Sequence, residues 1–300
     1  MRVLVLGGTG SIGAAVLSEL AGGGHQTLAL VRSDASAERA ASLGATALVR
    51  GDIAEPGGWV HGLPDLDAVV HIACDFSTAM ATVDGRLLDA LLPRLAAQKV
   101  RPRFVYTGGC WLFGTTGDGV ATEDSPPDPL PAFAWMVPHA RRVIDSDAVD
   151  GIVIHPGMVY GDDGGGVFHR FAWQAATGPA VHVVGGPTVR WPLVHRADLA
   201  RLYALALERA PRGASYLGVG TEGLAVGRIA RAFARRFATP DAEPRTVTAD
   251  AIAAELGEWA RGYALDQRLS GARARRELGW NPRHLDPEAE IAGVGGGATS

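Results

Sequence analysis

Lysine is nearly absent from this chain: Lys99 stands alone among 28 basic residues, so chemistry that needs a lysine has one place to find it. Cysteine is equally scarce. Cys74 and Cys110 build neither a disulfide framework nor a cysteine metal site. No apolar run approaches the roughly 18 residues of a membrane span, and the opening segment is too short and glycine-rich for a secretory signal, which predicts a cytoplasmic protein without a membrane partner. Excess positive charge is missing as well. A net charge of −4 with 20% charged residues argues against nucleic acid as a partner. There are no internal repeats. What is present is 300 residues at 47% hydrophobic, enough to bury a full core in one large or two interlocked domains.

The stretch MRVLVLGGTGSIG at residues 1–13 organises the rest. An apolar run ending at Leu6 reads as a buried parallel strand, and Gly7, Gly10 and Gly13 then precede a helical pattern that starts at Ile12 and repeats at Val16 and Leu20. Strand, glycine turn and helix in this order read as a dinucleotide site, the alternative being a tight turn before a packing helix. Gly7 allows the tight turn, Gly10 lets the backbone approach a pyrophosphate, and Gly13 lets helix and strand pack closely, with Ser11 and Ile12 offering N–H groups at the helix start.

The alternation continues. Thr27 to Val31 reads as a second strand, followed by Arg32, Ser33 and a short helix from Ala37 to Leu43. An arginine at that exit suits the 2′-phosphate of NADP(H), although Asp34 is near and Arg32 is alternatively a solvated strand-end charge. Thr46 to Arg50 is a third strand. Its exit carries Asp52 and Ile53; Asp52 either accepts from an adenine amino group or caps a turn. Ala68 to Ile72 is the fourth strand and meets Ala73 and Cys74, small enough for a cofactor to pass. Leu87, Leu88, Leu91, Leu92 and Leu95 form a core helix face. Phe104 to Thr107 and Ile152 to His155 are the fifth and sixth strands, the latter leading into Pro156 and Met158, with a helix between them from about His139. In a doubly wound sheet, the exits at residues 7, 32, 52, 73, 107 and 156 share one crevice.

After Gly161 the pattern loosens. Residues 1–161 read as an NADP-binding Rossmann-type α/β domain, and 162–300 mainly as a substrate lobe, with Ser215 to Val219 a candidate return to the sheet. Asp162 to Gly166 has the composition of a hinge or lid. Asp198 is a candidate N-cap for a helix over 199–208; Val226, Ile229, Ala230, Phe233 and Phe237 share a helix face; Ser270 opens a last helix ending at Gly279; and 293–300 reads as a disordered tail. Phe76, Trp111, Phe113, Trp135, Phe168 and Trp191 are candidate aromatic walls, though each residue type is more often core.

Several motifs in order resemble the extended short-chain dehydrogenase/reductases, the NAD-dependent epimerase/dehydratase family: GGTGSIG, the Val70–Ala73 run, FVYTGGCWLFG, HPGMVYG, VHRADLA and LGWNP. The resemblance implies a Rossmann-type fold, a nicotinamide cofactor and a small-molecule substrate between two lobes. It also exposes departures. The family's serine or threonine position is Gly109, and its Tyr-x-x-x-Lys motif falls on Trp135 and His139. None of the five tyrosines has a lysine four residues on, and an indole N–H cannot serve as an acid near neutral pH. The resemblance is therefore to an atypical branch. Thr107 and His139 remain as candidate catalytic residues: Thr107 as a hydrogen-bond donor to a carbonyl or as a strand-end hydroxyl satisfied by backbone, His139 near the nicotinamide ribose or as an ordinary residue of a helix start.

Three functions fit these residues. One is an NADPH-dependent ketoreductase for a ring-rich ketone of the aromatic polyketide, angucyclinone type. Another is a non-catalytic NADP(H)-binding redox sensor; the third is a nucleotide-sugar epimerase or dehydratase, whose chemistry demands a base that the first does not. As to self-association, the expectation is a monomer or homodimer.

Overall fold

The computed structural model describes residues 1–74, 76, 77, 79–161 and 165–293. The opening run forms strand β1 (Arg2–Leu6), and the glycine turn delivers the chain into helix α1 (Ser11–Gly22). Four more crossovers follow: β2 (Gln26–Val31) with α2 (Asp34–Ser42), β3 (Ala47–Arg50), β4 (Ala68–His71) with α3 (Met80–Ala96), and β5 (Arg103–Thr107) with α4 (Met136–Ile144). Strand β6 (Asp150–Pro156) completes the series before the chain leaves the sheet. It forms β7 (Met158–Tyr160), α5 (Phe168–Thr177), β8 (Ala180–Val184) and β9 (Arg190–His195), then comes back through α6 (Arg196–Arg209) to β10 (Ser215–Gly218). The remainder is β11 (Thr221–Ala225), α7 (Val226–Phe237), β12 (Asp241–Val247), α8 (Ala249–Leu256), α9 (Ala272–Leu278) and α10 (Pro287–Gly293).

Seven strands in the order β10-β6-β5-β4-β1-β2-β3 make one sheet, and every pairing in it is parallel. This is a doubly wound, Rossmann-type α/β fold. The period-two geometry of a strand explains why β1 is apolar throughout. Val3 and Val5 face a core shared with α1 and α6, whereas Leu4 and Leu6 face a second core built on Leu87, Leu88, Leu91, Leu92 and Leu95 of α3. Both sheet faces are thus covered. A third core, from Phe168, Phe171, Leu193, Ile229 and Phe233, holds the smaller group of elements together. A three-stranded sheet, β11-β9-β7, and a two-stranded one, β12-β8, flank it. No described helix is long and apolar enough to cross a membrane.

Local chemistry moves several boundaries. Helix α2 begins at Asp34, three residues before the apolar pattern, because Ser33 accepts from the Ser36 N–H in a reciprocal capping box. Helix α4 likewise begins at Met136 rather than His139. Asp198 is not the cap of α6: His195 Nδ1 accepts from the Ala197 N–H there, while the Asp198 carboxylate takes the backbone N–H groups of Arg283 and His284 and fastens the chain after α9. Nor does α9 end the chain, since α10 follows it and buries Ile291. The hinge expected at 162–166 and the tail at 293–300 lie largely outside the described residues.

Candidate functional site

The strand exits of the parallel sheet open into one cavity of about 950 Å³. At the end of β1, Gly7 takes φ +88, and a Cβ there would lie 2.9 Å from the backbone of Ala73, the first small residue beyond β4. Gly13 is held more tightly still: a Cβ would stand 1.9 Å from the Gly7 carbonyl oxygen. Gly10 differs. Its φ of −76 suits any residue, and a Cβ would meet only the Gly7 oxygen, at 3.4 Å. No side chain caps α1, whereas Ser33 caps α2 and Thr248 caps α8. The first N–H groups of α1, with the helix's partial positive charge, are left for an anion, and the turn leaves room for one.

The residues singled out for a cofactor converge here. Gly7, Gly10, Ser11, Ile12 and Gly13 line the cavity from β1, Arg32 and Ser33 from β2, and Asp52 and Ile53 from β3. Ala73 and Cys74 line it from β4, Thr107 from β5, and Pro156 and Met158 from β6. Arg32 is largely exposed and stands 3.6 Å from Asp52. Asp34, the nearby acid, is taken by Arg50 at 2.6 Å. Asp52 also accepts the Ala54 N–H at 2.9 Å, so its turn-capping role is realised. Ser33 spends its hydroxyl on the cap.

Between the two ends of the cavity lies a polar cluster built on a residue that sequence reasoning passed over. Asp84, on the buried side of α3, accepts from His71 Nε2 at 2.7 Å, His139 Nδ1 at 2.6 Å and Tyr106 OH at 3.0 Å. Burial opposes its ionisation, but the hydrogen bonds from His139, His71 and Tyr106 and the charge of His71 outweigh that and hold the carboxyl well below the usual carboxylate range. An ionised acceptor fixes which ring nitrogens face it as N–H groups, Nε2 of His71 and Nδ1 of His139. Tyr106 is pushed well above its ordinary value by burial and by the adjacent Asp84 charge, so it is no substitute for the missing acid. His139 is therefore tied to a carboxylate rather than idle at a helix start, and it does not itself line the cavity.

Thr107 is satisfied by a side chain and not by backbone. Its Oγ1 lies 2.7 Å from Tyr203 OH, and burial raises Tyr203 above its ordinary value, so that phenol keeps its proton. Either hydroxyl of the pair can donate; where Tyr203 does so, the Thr107 proton is left for the cavity. Gly109 has open space where a Cβ would stand, so nothing in the fold prevents a hydroxyl-bearing residue there. Burial pushes the Cys110 thiol up to about 12, which removes it as a nucleophile.

Aromatic residues close the far end. Phe76, Trp111 and Trp135 line it, joined by Phe133, Trp259 and Tyr263, which the sequence reading did not select. Trp259 and Tyr263 sit on a short helical segment, Glu258–Ala264, far along the chain, and carry no motif that marks them. Phe113, Phe168 and Trp191 are placed elsewhere. Trp191 is buried behind Tyr263 and donates to its carbonyl at 3.0 Å, and Phe168 stacks on Tyr160 in the third core. Phe113 meets the edge of His155.

His155 is buried beneath Gly108, and its Nδ1 has no partner among the described residues. Burial lowers it from 6.5 to about 4, against the effect of a backbone hydrogen bond with Gly109. The unfolded chain binds this proton first, so stability from a neutral His155 is complete above about pH 6.5 and is lost on descending to about pH 4. We expect urea unfolding to show a loss of about 3 kcal/mol across that window. His155→Gln should flatten the slope by one proton; an unchanged slope in the variant would place the titration elsewhere.

The fold and this site define a class, the dinucleotide-binding doubly wound α/β proteins. The chain belongs to the NAD-dependent epimerase/dehydratase family, whose model matches residues 3–217. It is 30% identical to an uncharacterised protein of Saccharomyces cerevisiae over 95% of this chain and 96% of the other. It is 28% identical to a 3-diazoavenalumate denitrifying reductase from a Streptomyces species over 95% and 97%. Among solved structures, a human epimerase family protein with NADPH superposes with a TM-score of 0.79 at 21% identity, covering 98% of this chain and 99% of that one. The dTDP-glucose 4,6-dehydratase of Streptomyces venezuelae, with NAD bound, gives a TM-score of 0.81 at 22% identity over 98% and 95%. These two likenesses show the fold. Family membership brings a nicotinamide cofactor with it.

Proposed function

We propose that the protein is an NADPH-dependent reductase of an uncharged, ring-bearing carbonyl compound of aromatic polyketide type. The observation that carries this reading is the composition of the cavity: a glycine turn at one end, aromatic side chains at the other, and Arg32 as the only arginine or lysine among the described lining residues. A nucleotide sugar would need cations for its diphosphate at the substrate end. None is there. The 28% identical Streptomyces relative is named as a reductase, which favours reduction over sugar epimerisation.

The bound dinucleotide supplies a hydride, and the protein contributes position and charge. The α1 N-terminus and the Gly7–Gly13 turn would hold the pyrophosphate, and Arg32 the 2′-phosphate. Good orientation lowers a barrier by about 7 to 11 kcal/mol, whereas a general acid adds about 3 to 5.5 kcal/mol, so losing the tyrosine is survivable. Thr107 would donate one hydrogen bond to the carbonyl. The proton then comes from water or from the substrate, for example a phenol beside the reduced carbonyl. Accordingly, Thr107→Val should keep kcat within about tenfold, against the 10²- to 10⁴-fold that removal of a general acid costs. An O-methylated analogue should bind and be reduced poorly. A loss of about 10³-fold for Thr107→Val, with cofactor affinity intact, would restore a protein acid.

Arg32 should set cofactor choice. Its charge-assisted hydrogen bonds to a 2′-phosphate are worth about 1.5 to 3 kcal/mol, a preference for NADPH over NADH of roughly 10- to 150-fold. Titrations of both cofactors into the parent protein and Arg32→Ala check this, and equal dissociation constants in the parent would overturn it.

The reading as a whole is tested by NADPH consumption with a panel of aromatic ketones and quinones beside UDP- and dTDP-sugars. The Streptomyces relative's name describes a reduction of a diazo compound, a substrate that leaves no alkoxide awaiting a proton, so a diazoarene belongs in the panel. Turnover of sugars alone would reverse the assignment. Tight NADPH binding without any turnover would make the protein a redox sensor.

A further inference from the structure

Apart from that of the exposed Trp173, the indole N–H groups sort into two sets in this protein. Trp59, Trp135, Trp191 and Trp280 each donate to a backbone carbonyl, of Asp52, Ala132, Tyr263 and Asp198, at 2.7 to 3.0 Å. Among the described residues, the indoles of Trp111 and Trp259 find no acceptor, and neither does the Tyr263 hydroxyl. All three line the aromatic end of the cavity. None of the three is a buried unsatisfied polar atom, so these neutral donors, gathered at one place, stay open to solvent and to the oxygens of a ligand in the cavity.

The three rings are held as a unit. Trp111 and Trp259 are near-parallel with centroids 6.2 Å apart, and Tyr263 meets them at 5.6 and 5.7 Å with its ring steeply inclined to both. Trp111 rests on the backbone of Gly262, where a Cβ would lie 2.4 Å from its ring. Phe76, in the left-handed backbone region at φ +53, closes on Trp259 at 5.3 Å. A bulky residue rarely adopts that conformation and persists in it where surrounding structure demands it. The rings stand too close together to admit another between them, so a ligand lies against this wall.

We infer that Trp111, Trp259 and Tyr263 form a recognition wall for a planar, uncharged fused-ring ligand bearing at least two oxygen acceptors, such as carbonyl or phenol oxygens. This rests on the proposed reading that the cavity takes a ring-bearing substrate, and it adds which atoms of that substrate are read. Neutral donors without a cation discriminate against carboxylates and sulfonates, which would lose hydration with no charge to replace it. The wall selects oxygenation pattern, and the ring faces supply affinity.

The test uses the NADP⁺-loaded protein and needs no turnover. Emodin, anthracene and anthraquinone sulfonate are titrated by quenching of tryptophan fluorescence into the parent, Tyr263→Phe, Trp259→Phe, Trp111→Phe and Gly262→Ala. Tyr263→Phe removes only a hydroxyl, so it stays informative if a tryptophan variant fails to fold. Emodin should bind more tightly than anthraquinone sulfonate, and each donor loss should weaken emodin relative to anthracene by roughly 3- to 10-fold. Gly262→Ala, which displaces Trp111, should weaken both. Emodin failing to bind, the sulfonate binding better, or an unchanged emodin-to-anthracene ratio in Tyr263→Phe would each overturn the inference. Donor-dependent binding without reduction of any ketone would instead sink the reductase reading and leave the wall standing.

Discussion

Gly10→Val yields a folded protein that no longer binds NADPH, whereas Gly13→Ala fails to fold normally. The two glycines belong to one turn and carry different loads. Gly10 has an ordinary φ and a clear Cβ position, so a valine is compatible with the backbone and its methyl groups occupy the space beside the α1 N-terminus that a pyrophosphate would fill. Gly13 has no such room. Its Cβ would sit 1.9 Å from a backbone oxygen, which cannot move without breaking the turn, so the cost lies at or beyond the upper end of the about 1 to 3 kcal/mol usual for overpacking. Urea unfolding separates the two: Gly10→Val keeps the parent midpoint and loses cofactor binding, and Gly13→Ala loses the midpoint. Undiminished NADPH affinity in folded Gly10→Val would falsify the assignment of the turn as the cofactor cradle.

Asp84→Ala should be the most damaging single change to a cavity-lining side chain. Removing the carboxylate strands His71 Nε2, His139 Nδ1 and the Tyr106 hydroxyl at once, in a largely buried place. Breaking a buried charged cluster from one side costs about 3 to 5 kcal/mol. The pH dependence carries its own signature. Because the native carboxyl ionises below the unfolded value of 3.8, its contribution is complete above about pH 5 and is lost as pH falls through and below that value. This window lies under that of His155, so the parent should lose stability on acidification in two stages. Asp84→Ala should shrink the lower stage, to which the arginine-paired Asp266 also contributes, and leave the upper. If denaturant unfolding finds Asp84→Ala within about 1 kcal/mol of the parent, the cluster does not hold His71 and His139 as described.

Much of the frame was legible because it is local. The apolar alternation of β1, the glycine turn and the leucine face of α3 are each written within a dozen residues, and the rule that parallel strand exits share a crevice then placed Arg32, Asp52, Ala73, Thr107 and Pro156 on one cavity. Cap chemistry was less legible. Ser33 and Asp198 each had a use that depended on neighbours: Ser36 three residues away supplied a capping box, and Arg283 and His284, some 85 residues away, claimed Asp198.

What the sequence determined by itself was the absence of a Tyr-x-x-x-Lys pair, since one lysine and five tyrosines can be checked in full, and the strand–glycine–helix opening with its doubly wound continuation. The tertiary structure alone decided that Asp84, in a helix that reads as plain leucine core, meets residues 13, 22 and 55 positions away. It alone decided that Trp259 and Tyr263 join Trp111 to make the aromatic end. The reason is physical. Strand and helix periodicities arise from interactions over a few residues, whereas these convergences depend on sheet order and on where a late segment folds back, which no local pattern encodes.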